Sequence, residues 1–250
     1  MITPIYPEPG PTVSDLAEFL FADRRVGVGR PWLMVNMVNS IDGATAVDGG
    51  TTGLNDADDQ ALFHAFRSVS DVILAGASTI REEDYGPVAL KDPGREARHE
   101  AGRHRQPRLA FVSRSLELDP SARVFSDADN PPLLFTVANA DPTRVAQLAD
   151  RAEVVVAGEE NVDFARLLAW LGERGHEVVL CEGGPSTNGE LIADDLVDEI
   201  NLSTSPMVVA GPSPRIVHSL APVPSPLPFY LDRLMTGERT LFARWLREAR

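Results

Sequence analysis

From residue 32 onward, short apolar runs with a two-residue or continuous pattern alternate with stretches whose apolar positions recur every three to four residues. The apolar runs predict strands at Trp32–Val38, Val72–Ala75, Leu109–Ser113, Leu133–Val137, Val154–Val156, Val178–Cys181 and Glu199–Ser203. Between them, helical periodicity covers Pro142–Arg151, Asp163–Glu173 and Ser186–Leu196. The second of these is the clearest, with Phe164, Leu167, Leu168 and Leu171 on one face and Gly172 and Gly175 placed to end it. A further helix follows Asn55 as its cap, with Leu62, Phe66 and Val69 facing inward and Asp56, Asp58 and Asp59 favouring its N-terminal dipole. A short one spans Val13–Ala22, capped by Ser14, with Leu16, Phe19 and Leu20 on one side. Strand–helix alternation of this kind implies an α/β fold with a mostly parallel sheet and helices on both faces. The pattern changes after Ala210. Prolines crowd Ala210–Pro228, and Tyr230–Leu246 reads as two strands around Gly237, an antiparallel hairpin at the sheet edge.

Two of the strands run straight into glycine. Val178–Cys181 leads through Glu182 to Gly183-Gly184-Pro185, and Val72–Ala75 leads to Gly76-Ala77-Ser78-Thr79, where hydroxyls stand at the expected helix N-cap. Glycine lets a backbone approach a ligand with no Cβ in the way, and a proline at the first helical position leaves the free N–H groups of that turn to face an anion. A lone Gly-Gly-Pro fits an ordinary strand-to-helix loop equally well; two such junctions in one open sheet are placed to hold two ends of an extended cofactor. The common dinucleotide fingerprint is missing, because Gly27-Val28-Gly29 is followed by Arg30-Pro31 and by no helix.

Composition narrows the partners. A chain of 250 residues, 43% hydrophobic, without a linker dividing it into comparable halves, is expected to form one domain. Its net charge of −14 argues against nucleic acid or an anionic membrane. Cys181, the single cysteine, falls inside a predicted strand, so a disulfide framework and a Cys-x-x-Cys zinc site are both excluded, and a reducing compartment is expected. The five histidines show no metal-ligand spacing. No apolar run reaches the ~18 residues of a membrane span, and the first 30 residues lack a signal pattern. A cytoplasmic location is the expectation.

Three motifs occur in order: Asn39-Ser40-Ile41-Asp42-Gly43, Leu74-Ala75-Gly76-Ala77-Ser78-Thr79 and Glu182-Gly183-Gly184-Pro185. With them the chain resembles the riboflavin-biosynthesis pyrimidine reductases, in particular the stand-alone actinobacterial members of the RibD C-terminal type. The resemblance implies a dihydrofolate-reductase-like three-layer fold over residues 30–250, after an N-terminal extension with a short helix at 1–29. It implies NADPH as cofactor and a homodimer as the assembly. No H-x-E followed by P-C-x-x-C is present, so the zinc deaminase activity of bifunctional relatives is not expected.

On this resemblance Gly183, Gly184 and Pro185 would hold the cofactor diphosphate, with Gly76 and Thr79 toward the nicotinamide. Ser113 and Arg114 would meet the ribose 2′-phosphate, Arg114 being equally readable as an exposed strand-end cation. Glu182, repelled by a diphosphate, should turn to the substrate side and act there with Asp42 and Asp84 as the catalytic carboxylates. Asn36, Asp42, Asn55 and Glu83 would bind substrate, Asp42 accepting from an aminopyrimidine or pterin amino group. An Asp-Gly turn and a solvated acidic run are the plain readings of Asp42 and of Glu82–Asp84. The expected reaction reduces a ribosylaminopyrimidine phosphate to its ribitylamino form. Many relatives carry Lys where Asn36 stands and a second basic residue where Ala44 stands, which brings in two alternatives: a dihydropterin reductase, and a nucleotide-binding protein without turnover. The arginine-rich segment Lys91–Arg108 is read as a solvated insertion or, alternatively, as a basic lid attracting phosphates.

Overall fold

The computed structural model describes all residues except 91, 104, 105, 220–222, 224, 249 and 250, together with the side chains of 92 and 93. Among the described residues ten strands form one sheet: β1 (Thr3–Tyr6), β2 (Trp32–Ser40), β3 (Val72–Gly76), β4 (Arg108–Val112), β5 (Leu133–Thr136), β6 (Glu153–Val156), β7 (Val178–Cys181), β8 (Glu199–Ser205), β9 (Phe229–Thr236) and β10 (Leu241–Arg247). Among the described residues seven α-helices accompany them: α1 (Leu16–Ala22), α2 (Ala57–Val69), α3 (Ala77–Glu82), α4 (Asp92–Glu100), α5 (Pro142–Ala149), α6 (Phe164–Gly172) and α7 (Pro185–Ala193). The strand order is β1-β9-β10-β8-β2-β7-β3-β4-β5-β6. From β8 to β6 all neighbours are parallel, and β10, β9 and β1 follow antiparallel.

Two apolar cores lie on the two faces. Leu20 of α1, Leu62 and Phe66 of α2, Ile80 of α3 and Leu148 of α5 pack on one side against Met34, Ile73, Phe111 and Leu134. On the other side Phe164, Leu167, Leu168 and Leu171 of α6 and Leu191 of α7 cover Leu33, Val72, Leu74, Ala110 and Val179. Strands covered on both faces are largely apolar, and every residue of β3, β5 and β7 is buried. This is the three-layer α/β class read from the alternation.

Several local details differ from the sequence reading. Residues 3–6, left unassigned by their pattern, form β1, which pairs with β9; the hairpin β9–β10 therefore sits one strand inside the edge. Asp56, not Asn55, caps α2, its Oδ1 accepting from Asp59 N at 2.8 Å, and Asp15, not Ser14, caps α1. The N-cap of α3 is Gly76 without a side-chain hydrogen bond, so neither Ser78 nor Thr79 acts as a cap.

In the described part of the arginine-rich segment, two arginines are tied to the body of the protein. Asp92–Glu100 is helical, and Arg98 is buried, donating to the carbonyls of Ser68 at 3.0 Å and of Ser70. Arg103 pairs with Asp71 at 2.8 Å and with Glu177, at the amino ends of β3 and β7. Buried carbonyls at the end of α2 require donors, and a long guanidinium supplies them. Lys91 and Arg105 lie outside the described residues.

Candidate active site

The chain leaves β2 through α2 on one face of the sheet and leaves β7 through α7 on the other, although β2 and β7 are neighbours. Elements diverging from adjacent strands open a crevice at the carboxyl ends, where ligands of open α/β sheets bind. The glycine junctions meet there. Gly76 N donates to Gly183 O at 2.8 Å, and Glu182 N to Leu74 O at 2.9 Å, tying the ends of β3 and β7. A Cβ on Gly76 would stand 2.7 Å from Thr187 Oγ1, and one on Gly184 would stand 2.8 Å from Thr79 Oγ1. Gly183 has φ +92°, a region that disfavours any side chain. Gly76, Thr79, Gly183, Gly184 and Pro185 are thus brought together, as a cradle whose backbone is bare. Pro185 opens α7, whose first-turn N–H groups have no acceptor within the helix. Bare backbone beside a helix start fits a dinucleotide diphosphate.

Ser113 and Arg114 directly follow Val112 of β4, which pairs with Gly76 of the cradle. Ser113 Oγ accepts from Leu116 N at 3.0 Å and is spent on its own turn, while the exposed Arg114 donates to Asn161 Oδ1 at 2.7 Å.

On the α2 side of the crevice lies a cleft of about 520 Å³. Asn36, Asn55, Glu83, Asp84 and Glu182 line it together with Thr79. Asp42 does not: its carboxylate accepts from the Ser40 hydroxyl, from Ala210 N at 2.7 Å and from Val209 N at 3.2 Å. These bonds, the Ser40 hydroxyl first, hold its carboxyl down at about 2. Asp42 thus anchors the strand-to-loop turn and is not among the residues that line this cleft. Ala44 is buried and likewise outside the cleft lining.

The cleft also contains residues that the sequence reading missed. Arg67 on α2 grips Glu182 with both arms, Nε to Oε1 and Nη2 to Oε2 at 2.7 Å each, and the Tyr85 hydroxyl donates to Oε2 at 2.7 Å. Phe63 lies under the guanidinium with its ring centroid at 4.2 Å. Burial works against a charged Arg67, but the Glu182 carboxylate beside it outweighs this and keeps its pKa above the ordinary value. Burial, reinforced by Glu182, raises the Tyr85 hydroxyl well above its usual range. Arg123 donates to Asp84 Oδ2 at 2.7 Å. Asp59 is 7% exposed, and burial raises its carboxyl above 3.8, the Ser203 hydroxyl bond opposing and Asp56 adding to the shift. Next to it, Asn55 Oδ1 is buried without a hydrogen-bond partner. The missed signal is a stripe along α2, polar Asp59, Gln60, His64 and Arg67 with Phe63 among them, at helical spacing.

A glycine cradle joined through Glu182 to a polar cleft is an arrangement suited to a nucleotide cofactor beside a second ligand. The family model described as the RibD C-terminal domain matches residues 31–234. The chain is 32% identical over 186 residues to the 2,5-diamino-6-ribosylamino-4(3H)-pyrimidinone 5′-phosphate reductase of Methanothermobacter thermautotrophicus, covering 74% of this chain and 82% of that one. It is 29% identical over 188 residues to the enzyme of the same name from Aquifex aeolicus, covering 73% and 80%. The crystal structure of a pyrimidine reductase-like protein from Corynebacterium diphtheriae superposes with a TM-score of 0.81 at 27% identity, over 88% of this chain and 93% of that one. The chain belongs to the RibD C-terminal domain family; it is an oxidoreductase working with a nicotinamide cofactor.

Proposed function

We propose that this protein is an NADPH-dependent reductase that converts a 6-ribosylaminopyrimidine 5′-phosphate into its ribitylamino form in riboflavin biosynthesis, acting in the cytosol as a homodimer. The observation that carries the reading is Glu182, which directly follows the strand leading into the Gly183–Gly184 cradle and lines the cleft. The names of the two sequence relatives support the substrate.

When bound, the dinucleotide supplies a hydride to C1′ of the ring-opened imine, and the imine nitrogen takes one proton. Gly76, Gly183 and Gly184 admit the diphosphate to close range, and Thr79 borders both cradle and cleft. Arg114 is the exposed cation nearest in sequence to the end of β4, and this reading gives it the 2′-phosphate that separates NADPH from NADH. Asn55 Oδ1 and the Asp59 carboxyl, two buried acceptors facing one cleft, take N–H donors from the aminopyrimidine edge. A carboxyl with a raised pKa also holds a proton closer to neutrality, which suits Asp59 to the proton transfer. Asp84 and Glu83 line the opposite wall.

A second reading has a specific observation behind it. Arg67 and Arg123, two guanidiniums lining the cleft, are both committed to carboxylates, and Asn36 adds no charge. A cleft of that balance favours a substrate without phosphate, such as a dihydropterin. Oxidation of NADPH, followed with the ribosylaminopyrimidine phosphate, its dephosphorylated form and dihydrofolate offered separately, decides. Preference for the first by at least ~100-fold in kcat/KM, worth about 2.7 kcal/mol, supports the proposal. Preference for either of the others replaces the substrate, and NADPH binding without oxidation of any replaces the enzyme by a binding protein.

A further inference from the structure

The sheet has a second opening at the end opposite the cleft. Asp71, Arg108, Pro131 and His176 stand at or just before the starts of β3, β4, β5 and β7, four neighbouring strands, and line a cavity of about 500 Å³. Arg98 of α4, Arg103 just beyond α4 and Arg174 just beyond α6 add to its walls. None of these residues lines the cleft or belongs to the glycine cradle. The strand between the two openings, β3, is five residues long, which separates them by about 15 Å of sheet.

Cations belong at this end for an ordinary reason, since α2, α4 and α6 finish here and their last carbonyls need donors. Arg98 donates to Ser68 O at 3.0 Å and to Ser70 O, Arg24 to Val69 O at 2.8 Å and Arg174 to Trp170 O at 3.2 Å. The positive charge exceeds that need. Asp71 and Glu177 are each shared between Arg24 and Arg103. Burial brings the Arg98 guanidinium down to about 10, with Asp71 opposing the shift and the neighbouring Arg103 and Arg24 adding to it. Among the described residues four arginines and His176 line the cavity against Asp71 and Asp129, in a chain whose acidic residues outnumber Lys and Arg by 37 to 23. Guanidiniums close enough to repel one another are stabilised by an anion placed among them.

We infer that this cavity is a second ligand site, for a phosphorylated small molecule whose phosphate is taken by Arg103, Arg108 and Arg174. The inference goes beyond the reductase reading and does not depend on it. Arg108 is fixed through Nε to Pro131 O at 3.0 Å and through Nη2 to Glu153 at 2.8 Å, which leaves its Nη1 arm for a ligand. Arg174 is stacked over Trp170, its guanidinium carbon 3.5 Å from the ring centroid, so it is held in place while its side chain stays 46% exposed. Held guanidiniums of this kind recognise phosphate with two parallel N–H bonds at little cost in side-chain freedom. The space is larger than one phosphate requires and falls in the range of small-molecule sites, roughly 300–1,000 Å³. Gln106, Asn130 and His176, which also line it, offer hydrogen bonds to the rest of such a molecule. At the rim Gly102 and Gly175, with open space where a Cβ would stand, keep the entrance clear.

Amide NMR on the ¹⁵N-labelled chain, titrated separately with inorganic phosphate and with ribose 5-phosphate, tests the inference by location. Gly102, Asn130 and Gly175 report this cavity, while Gly76, Gly183 and Gly184 report the cradle in the same spectra. The first three signals are expected to move with both probes, at about 10-fold lower concentrations of the sugar phosphate. Arg108→Ala and Arg174→Ala are each expected to weaken that titration by about 10-fold and to leave the cradle signals as in the parent. Asp129→Asn, an exposed position where a carboxylate is removed from the lining, is expected to tighten it by about 3-fold without disturbing the fold. Shifts confined to the cradle, equal affinity for the two probes, a titration that neither arginine variant weakens, or one that Asp129→Asn fails to tighten overturns the site.

Discussion

The Glu182 carboxylate, at the end of β7, is held by both arms of Arg67 on α2, and this pair fixes the wall of the cleft against the floor of the cofactor cradle. Its partners are spaced 115 residues away in the chain, so only the fold makes it. Removing one member leaves the other buried and uncompensated, at a cost of about 3–5 kcal/mol. Arg67→Met is therefore expected to lower the unfolding midpoint by on the order of 10 °C, measured by thermal denaturation. Glu182→Gln, which keeps the shape and loses the charge, should destabilise less and depress kcat more than it changes cofactor affinity.

Cofactor binding should depend on the bare backbone of Gly76. Gly76→Ala puts a methyl 2.7 Å from Thr187 Oγ1 and is expected to weaken NADPH binding by at least ~10-fold, about 1.4 kcal/mol. Adding Thr187→Ala removes the internal clash. Fluorescence titration of the double variant then reports how much of the loss came from the ligand's own close approach.

Asp59 links stability to pH in a direction opposite to an ordinary ion-paired carboxylate. Its pKa is raised in the folded state, so the folded chain binds the proton more tightly than the unfolded chain. Stability must fall as pH rises from 3.8 through the folded pKa, and the penalty is complete above it. Asp59→Asn is expected to abolish that slope and to be the more stable protein at neutral pH. It should also lose about 100-fold in kcat/KM if the carboxyl handles the proton. Denaturant titrations of both proteins over a pH series, with rates at each pH, check the two halves separately.

Asp42 behaves the other way. Its carboxyl is lowered to about 2 by the Ser40 hydroxyl and by the N–H groups of Ala210 and Val209, so its contribution is present above 3.8 and is lost as pH falls toward 2. Asp42→Ala should speed hydrogen exchange at Val209 and Ala210 while lowering kcat/KM less than Asp59→Asn does.

Arg103→Ala is expected to destabilise the protein without changing the affinity for NADPH, because its partners Asp71 and Glu177 lie at the amino ends of the strands, opposite the cleft. A change in cofactor affinity would favour the basic-lid reading.

Local pattern was enough to determine the alternation of strands and helices, the parallel sheet, the C-terminal hairpin and the two glycine junctions. Each of these is written in residues close together in the chain: Phe164, Leu167, Leu168 and Leu171 define a helix face, and Gly183-Gly184-Pro185 a turn, wherever they occur. Tertiary structure decided which polar residues share a cleft. Asp42 and Asp59 read alike in the sequence, as acidic residues near a turn and a helix start; the loop at Val209–Ala210 takes up the first, and burial beside Ser203 of β8 turns the second into the cleft. Arg67 and Glu182, or Arg98 and the carbonyl of Ser68, meet only because parallel strands bring distant segments side by side. Charge pairing across such distances leaves no period in the sequence, and so no trace to read before the chain is folded.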